Sequence, residues 1–295
     1  MQTTYTSVIK FKQFVELRDY RPPTKKEYVR CVWKLAEHFE ADPGKLSEGQ
    51  LREYFLFLRE EQQASASVMK GAKWALRCFY REFLQVSGWR VFEDLRVAEP
   101  KTLPVVLARE EVRKILEAVR EARFVTCLGL MYHCGLRVSE AVSLEVQDIL
   151  GGQTPPRLHL RNAKGGKDRC VPLAPAMLEE LRQWWRTHRH PRLLFPVYPE
   201  RCATTPTATP MSTASVQEAF RLALDRSGVR VQATPHTLRH SYATHLLEEG
   251  VSLRQISSYL GHESLDTTAI YTHLTRVSEA RTQAALHQLY HALKA

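Results

Sequence analysis

Between residues 157 and 173 the apolar spacing of this chain changes, and that change limits the folds open to it. RLHLRN (157–162) and DRCVPL (168–173) alternate apolar and polar residues, as strands with one buried face do. AKGGK (163–167) supplies two glycines for a reversal between them, so the pair reads as a β-hairpin. In most other segments apolar residues recur at three- and four-residue steps, the helical pattern. The expectation is a mainly α chain with a small β-hairpin or sheet: a helical N-terminal domain, then a mixed α+β domain.

Within the first hundred residues three helices stand out. Thr24 can cap one that carries Tyr28, Val32, Leu35 and Phe39; Ser47 opens a second with Leu51, Tyr54, Phe55 and Leu58. Ser65 or Ser67 opens a third with Val68, Ala72, Ala75, Phe79 and Phe83, which Gly88 is expected to end. Asp42-Pro43-Gly44 reads as a turn. Nothing here looks catalytic. AEPKTLPV (98–105) loses periodicity and carries two prolines, which marks a linker. The expected division is a helical domain at 1–98, a linker at 99–106, a second domain at 107–276 and a tail helix at 277–295.

In the second domain, helices are expected over 109–122 and 123–134, the latter closed by Gly135 as a C-terminal cap. A short helix should run from Val138 to Leu144, and others over 175–187, 212–227, 235–249, 253–261 and 264–273. Residues 199–211 are rich in Thr and Pro and read as a surface loop. In the tail, Ala285, Leu286, Leu289, Tyr290 and Leu293 form an apolar stripe, which could dock on its own domain or on another copy.

The net charge is +10. Residues 1–100 carry 17 basic and 14 acidic side chains and the remainder 25 and 18, so the excess lies mostly in the second domain. Such a balance fits a polyanionic partner, most simply nucleic acid, although a merely basic protein would look the same. Six cysteines (Cys31, Cys78, Cys127, Cys134, Cys170, Cys202) form no CxxC pair. That argues against a disulfide scaffold or structural zinc site and suits a reducing compartment. Cys127 and Cys134, seven apart, should share a buried helix face. No signal peptide or membrane-length apolar run is evident, so the expected location is cytoplasmic, on the nucleoid.

Breaking a phosphodiester without a metal requires cationic forks on the non-bridging oxygens, an aligned nucleophile and an acid for the departing oxygen. Arginine suits the clamp, because its planar guanidinium is bidentate and stays charged. Arg137 lies in CGLRVSEAVSL at a helix start; alone it would pass for a boundary arginine. Lys164 sits in the hairpin turn, and Arg157, Arg161, Lys167 and Arg169 surround it as a basic finger for DNA, or a plain solvated turn. His236 and Arg239 stand at i and i+3 in TPHTLRHSYATHLL and share a helix face. His240 and His245 lie in the same stretch, but no HExxH and no completing carboxylate or cysteine makes a zinc set, so no metal is expected. His262 follows Gly261 in YLGHESLDTTAIYTH, and Tyr271 comes nine residues later. A lone tyrosine of this kind is usually a core residue.

Taken in order, Arg, hairpin Lys, HxxR, GH and Tyr resemble the tyrosine recombinase (phage integrase) family over about residues 100–275. The helical first hundred residues resemble that family's core-binding, DNA-clamping domain. LRVSEAVSL, TPHTLRHSYATHLLEEG and LGHESLDTTAIYTHL are similar to Xer-type recombinases and related integrases, and all six active positions find a matching residue type. The resemblance implies that Tyr271 attacks the scissile phosphate to give a 3′-phosphotyrosyl bond. It implies that Arg137 and Arg239 clamp the oxygens, Lys164 protonates the 5′-oxygen, His236 handles the tyrosine proton and His262 hydrogen-bonds the phosphate. No ATP, metal or other cofactor is implied. The implied partners are double-stranded recombination sites, with a dimer per site and four protomers on two sites passing through a Holliday junction. The tail helix would be exchanged between protomers, and Tyr290, without a preceding GH, is a decoy. The absence of a separate arm-site domain, and of room for an extra helix between Lys164 and His236, favours a compact Xer-like or mobile-element enzyme. The alternatives are a type IB topoisomerase-like activity, a non-catalytic DNA-binding protein on the same scaffold, and a metal-dependent nuclease.

Overall fold

The computed structural model describes residues 5–98, 103–161, 168–197, 207–262, 264–273, 287 and 291. It divides into two compact units, Met1–Lys101 and Thr102–Ala295.

In the first unit α1 (Thr6–Glu16) buries Val8, Phe11 and Val15, one helical stripe. It precedes the three expected helices. α2 (Pro22–Phe39) begins two residues before the expected Thr24 cap. Pro22 supplies a fixed helical φ at a position whose N–H would be unpaired anyway, and forces Arg21 into an extended conformation. Asp42 accepts hydrogen bonds from the Gly44 and Ser7 amides, which holds Pro43–Lys45 in a 3₁₀ turn. α3 (Glu48–Glu60) opens with Ser47 and Gln50 in a reciprocal capping box. Ser65 caps α4 (Ala66–Arg77). α4 passes into a π-turn, Cys78–Phe83, rather than running on to Gly88. The wide turn closes with the Leu84 amide on the Phe79 carbonyl and keeps Phe79 edge-on and Phe83 tilted against Phe11, with centroids 5.1 and 5.6 Å away. α5 (Val91–Asp94) completes the unit.

The second unit begins with α6 (Arg109–Glu117), shorter than expected, and α7 (Ala122–Cys134). Cys127 and Cys134 are fully buried together on α7. Gly135 ends α7 at φ 62°, and α8 (Val138–Val142) follows. Three short antiparallel strands come next in the order β1 (Ile149–Leu150), β2 (Arg157–Leu160) and β3 (Arg169–Pro172). Leu158 pairs with Val171 and Leu160 with Arg169. This is the expected hairpin with one extra strand; the hairpin turn itself lies outside the described residues. α9 (Pro175–His188), α10 (Thr213–Ser227), α11 (Pro235–Glu248) and α12 (Leu253–Leu260) follow. α13 (Asp266–Ala269) leads into a 3₁₀ turn, Ile270–His273, where one longer helix was expected. The apolar stripe of the tail and most of the 199–211 loop lie outside the described residues. Among the described residues, no helix is long and apolar enough to cross a membrane.

α11 positions the site. Nine of its residues are buried, from Pro235 to His245, on every side of the helix but the one that carries His236 and His240. It is therefore the central helix of its unit, packed on α7, α12 and the 3₁₀ turn that carries Tyr271. A helix enclosed in this way can hold a polar side chain inside only if its neighbours supply partners.

Candidate active site

Arg239 is 1% exposed, and two helix ends account for that. α7 and α12 both stop at a glycine in the left-handed region, Gly135 (φ 62°) and Gly261 (φ 64°). Carbonyls at a helix C-terminus lack intrahelical donors and carry the negative end of the dipole. Arg239 takes one from each helix: Nη1 donates to the Gly135 carbonyl at 2.7 Å and Nη2 to the Leu260 carbonyl. The glycines are needed for space as well as for φ. A Cβ on Gly135 would lie 2.5 Å from Tyr242, and one on Gly261 3.0 Å from Arg169. Burial pushes the Arg239 guanidinium down to about 9, helped by Arg137, but it stays charged at neutral pH.

Glu140 gathers the arginines. Its carboxylate accepts from Arg137 Nη1 at 2.6 Å and from Arg169 Nη1 and Nη2 at 3.0 and 2.8 Å. It also lies 3.8 Å from Arg239 Nη1. At the third helical position of α8 it accepts the Arg137 backbone amide as well, at 2.9 Å, so one side chain caps the helix and orients its first residue. Burial alone would raise this carboxyl. Hydrogen bonds from Arg169 and the Arg137 amide, with the charges of both arginines, overcome it and bring the group down to about 2.

His262, just after Gly261, has its Nε2 3.2 Å from Arg239 Nη2 and its Nδ1 2.8 Å from Thr268 Oγ1. Arginine can only donate, so Nε2 accepts and the proton sits on Nδ1, donated to Thr268. Burial and the surrounding arginines push this imidazole down to about 4. Tyr271 is 1% exposed. Its hydroxyl lies 2.9 Å from Nδ1 of His240, the residue after Arg239. Burial raises the phenol above its ordinary value, and Arg239 and Arg137 partly offset that.

The structure thus brings Arg137, Arg239, His262 and Tyr271 together around α11. His236 is exposed one turn before His240, with the two rings edge-on at 4.6 Å. Lys164 and Lys167 lie outside the described residues. Arg157 is exposed at the start of β2, and Arg161 pairs with Asp148 and Glu145. Arg169 corrects the reading of an exposed basic finger. Its side chain is 7% exposed, engaged bidentately by Glu140 and bonded through Nε to the Tyr259 carbonyl at 2.8 Å. It points into the protein because Glu140 would otherwise be a buried carboxylate with too little countercharge. Two residues of the cluster, Glu140 and His240, were not singled out as functional in the sequence. The S-E spacing after Arg137 was the only signal for Glu140, and adjacency to Arg239 the only one for His240. Among the described residues, no group of three or more His, Cys, Asp or Glu could hold a metal ion.

Residues 105–277 match the phage integrase family, and residues 8–87 match the N-terminal SAM-like domain of phage integrases. The tyrosine recombinase XerA of Thermococcus onnurineus is 32% identical over 93% of this chain and 93% of its own length. An integrase/recombinase of Escherichia coli is 30% identical over 92% of this chain and 90% of its own. Among solved structures, a lambda integrase tetramer bound to a Holliday junction superposes with a TM-score of 0.72 at 19% identity, covering 90% of this chain and 76% of that one.

Proposed function

This chain belongs to the phage integrase family and is a tyrosine site-specific recombinase; from that premise we infer that Tyr271 is the nucleophile of strand cleavage. The observation that carries this is the convergence of Arg137, Arg239 and His262 on one buried cluster, with the Tyr271 hydroxyl hydrogen-bonded to the residue next to Arg239. Tyr271 attacks the scissile phosphorus and leaves a 3′-phosphotyrosyl bond. Arg137 and Arg239 stabilise the charge that develops on the non-bridging oxygens, where preorganised donors are most effective. A phosphate oxygen reaching Arg239 takes over the contact that His262 now makes; His262, with its proton shifted to Nε2 and Nδ1 accepting from the Thr268 hydroxyl, then donates to the phosphate. Lys164 is the general acid for the 5′-oxygen, and His236, exposed at the rim, contacts the substrate. The ester energy is kept in the covalent bond, so resealing needs neither ATP nor metal.

The substrate in this reading is double-stranded DNA carrying recombination sites. Residues 1–98 and 107–276 grip it, with Arg157, Arg161 and Lys167 on the basic side. Four copies act on two sites through a Holliday junction, an arrangement supported by the assembly named for the lambda integrase neighbour. The tail from 277 onward links protomers, and the reaction takes place on cytoplasmic DNA.

A nicked suicide substrate tests this, with EDTA present throughout. Wild type is expected to accumulate a covalent protein–DNA adduct and Tyr271→Phe none. An adduct formed by Tyr271→Phe, or one abolished by EDTA, contradicts the reading.

A further inference from the structure

We propose that His240, rather than His236, takes the proton from the Tyr271 hydroxyl as the tyrosine attacks. This rests on the reading of Tyr271 as nucleophile and adds a catalytic residue to it.

The geometry singles out one imidazole. His240 Nδ1 lies 2.9 Å from the Tyr271 oxygen, within the reach a proton acceptor needs. Among the described residues no hydrogen bond joins His236 to Tyr271; its ring lies edge-on against His240, and Arg239 and Arg137 act on it through charge. Position on α11 accounts for the difference. The residue after Arg239 turns toward the 3₁₀ turn that carries Tyr271, whereas His236, a turn earlier, reaches the exposed rim. His240 is also in the right protonation state. Burial, with His236 and Arg239 alongside, holds it at about 4, so at neutral pH the ring is uncharged. With its proton on Nε2, it offers the Nδ1 lone pair to the phenol.

With the phenol raised above its ordinary value by burial, the proton leaves Tyr271 as the bond to phosphorus forms rather than beforehand. The phenolic oxygen becomes far more acidic as it turns into a phosphate ester. The Nδ1 lone pair takes the proton while the O–H pair becomes the lone pair that forms the O–P bond. The bond from phosphorus to the 5′-oxygen breaks, its electrons leave with that oxygen, and Lys164 supplies the proton that completes the 5′-hydroxyl. His240 is then an imidazolium beside the bound phosphate. In resealing, the neutral Lys164 amine takes the proton of the incoming 5′-hydroxyl as that oxygen attacks phosphorus, the bond from phosphorus to the tyrosyl oxygen breaks with its electrons on that oxygen, and His240 returns the proton to it.

The test uses single-turnover cleavage of a suicide DNA whose 5′-bridging oxygen is replaced by sulfur, so that loss of the general acid does not matter. His240→Asn keeps a hydrogen-bond acceptor near the Nδ1 position but cannot take a proton. Cleavage is expected to slow on the order of 10²–10⁴-fold, with DNA binding in a mobility-shift assay as in wild type. Replacing Tyr271 with a fluorinated, more acidic tyrosine should then recover much of the loss in His240→Asn and give no such gain in His236→Asn. Wild-type cleavage by His240→Asn overturns the proposal, as does a loss that the fluorinated tyrosine does not relieve, or relief seen with His236→Asn instead. Failure of the underlying reading looks different: wild type gives no adduct, or Tyr271→Phe still gives one.

Discussion

Glu140 balances three arginines with one carboxylate, which makes it the most consequential side chain of the cluster outside the six residues proposed to act on DNA. Its carboxyl stands at about 2 in the folded protein against 4.5 as the ordinary value. A depressed carboxyl contributes stability above its unfolded value and loses it as pH falls through the folded one. Glu140→Gln is therefore expected to cost on the order of 3 kcal/mol at pH 7, with the gap to wild type closing as pH falls from about 4.5 toward 2. Denaturant titrations of both proteins across that range check it; a gap independent of pH contradicts the charge account. Lys164→Ala is expected to slow cleavage of ordinary DNA and to be rescued by a 5′-bridging sulfur, a better leaving group. Failure of the rescue removes Lys164 as general acid. At this scale the sequence exposed Arg137, Arg239, His262 and Tyr271 through their order, because a family-wide pattern needs no coordinates. Glu140 and His240 stayed hidden because their meaning lies in partners 29 and 31 residues away, Arg169 and Tyr271. Arg169 was misread for the same reason: a basic residue near a hairpin looks solvated until its carboxylate is known.

Elements whose boundaries are set by local chemistry were the ones legible in advance. Ser47 and Ser65 cap helices as expected, Gly135 ends α7, and the alternation in 157–160 and 169–172 gives paired strands. Elements set by packing were not. α1 has no capping side chain, the π-turn exists to seat Phe79 and Phe83 against Phe11, and β1 is two residues added to an existing edge. The same contrast yields a prediction about glycine. Gly135 and Gly88 both have positive φ, but a Cβ on Gly88 meets nothing within 4 Å whereas one on Gly135 strikes the Tyr242 ring. Gly88→Ala should cost about 1 kcal/mol from backbone strain alone. Gly135→Ala should cost at least about twice that and weaken cleavage too, since the Gly135 carbonyl holds Arg239. Thermal unfolding compares them, and equal losses contradict the packing argument.

For the molecule as a whole, the positive excess of residues 101–295 gives the proposed DNA partner a large electrostatic share of its binding. Each phosphate neutralised releases counterions, so affinity should fall at least roughly tenfold between about 50 and 200 mM salt. An affinity flat in salt, measured by fluorescence anisotropy, contradicts a backbone-dominated grip. Cleavage chemistry, in the proposed reading, belongs to a single buried hydroxyl. The most direct measurement traps the adduct on a nicked substrate, trims the DNA with nuclease and maps the modified peptide by mass spectrometry. The account predicts a nucleotide on Tyr271 alone. A nucleotide on Tyr290, on Tyr259 or on any other side chain contradicts it.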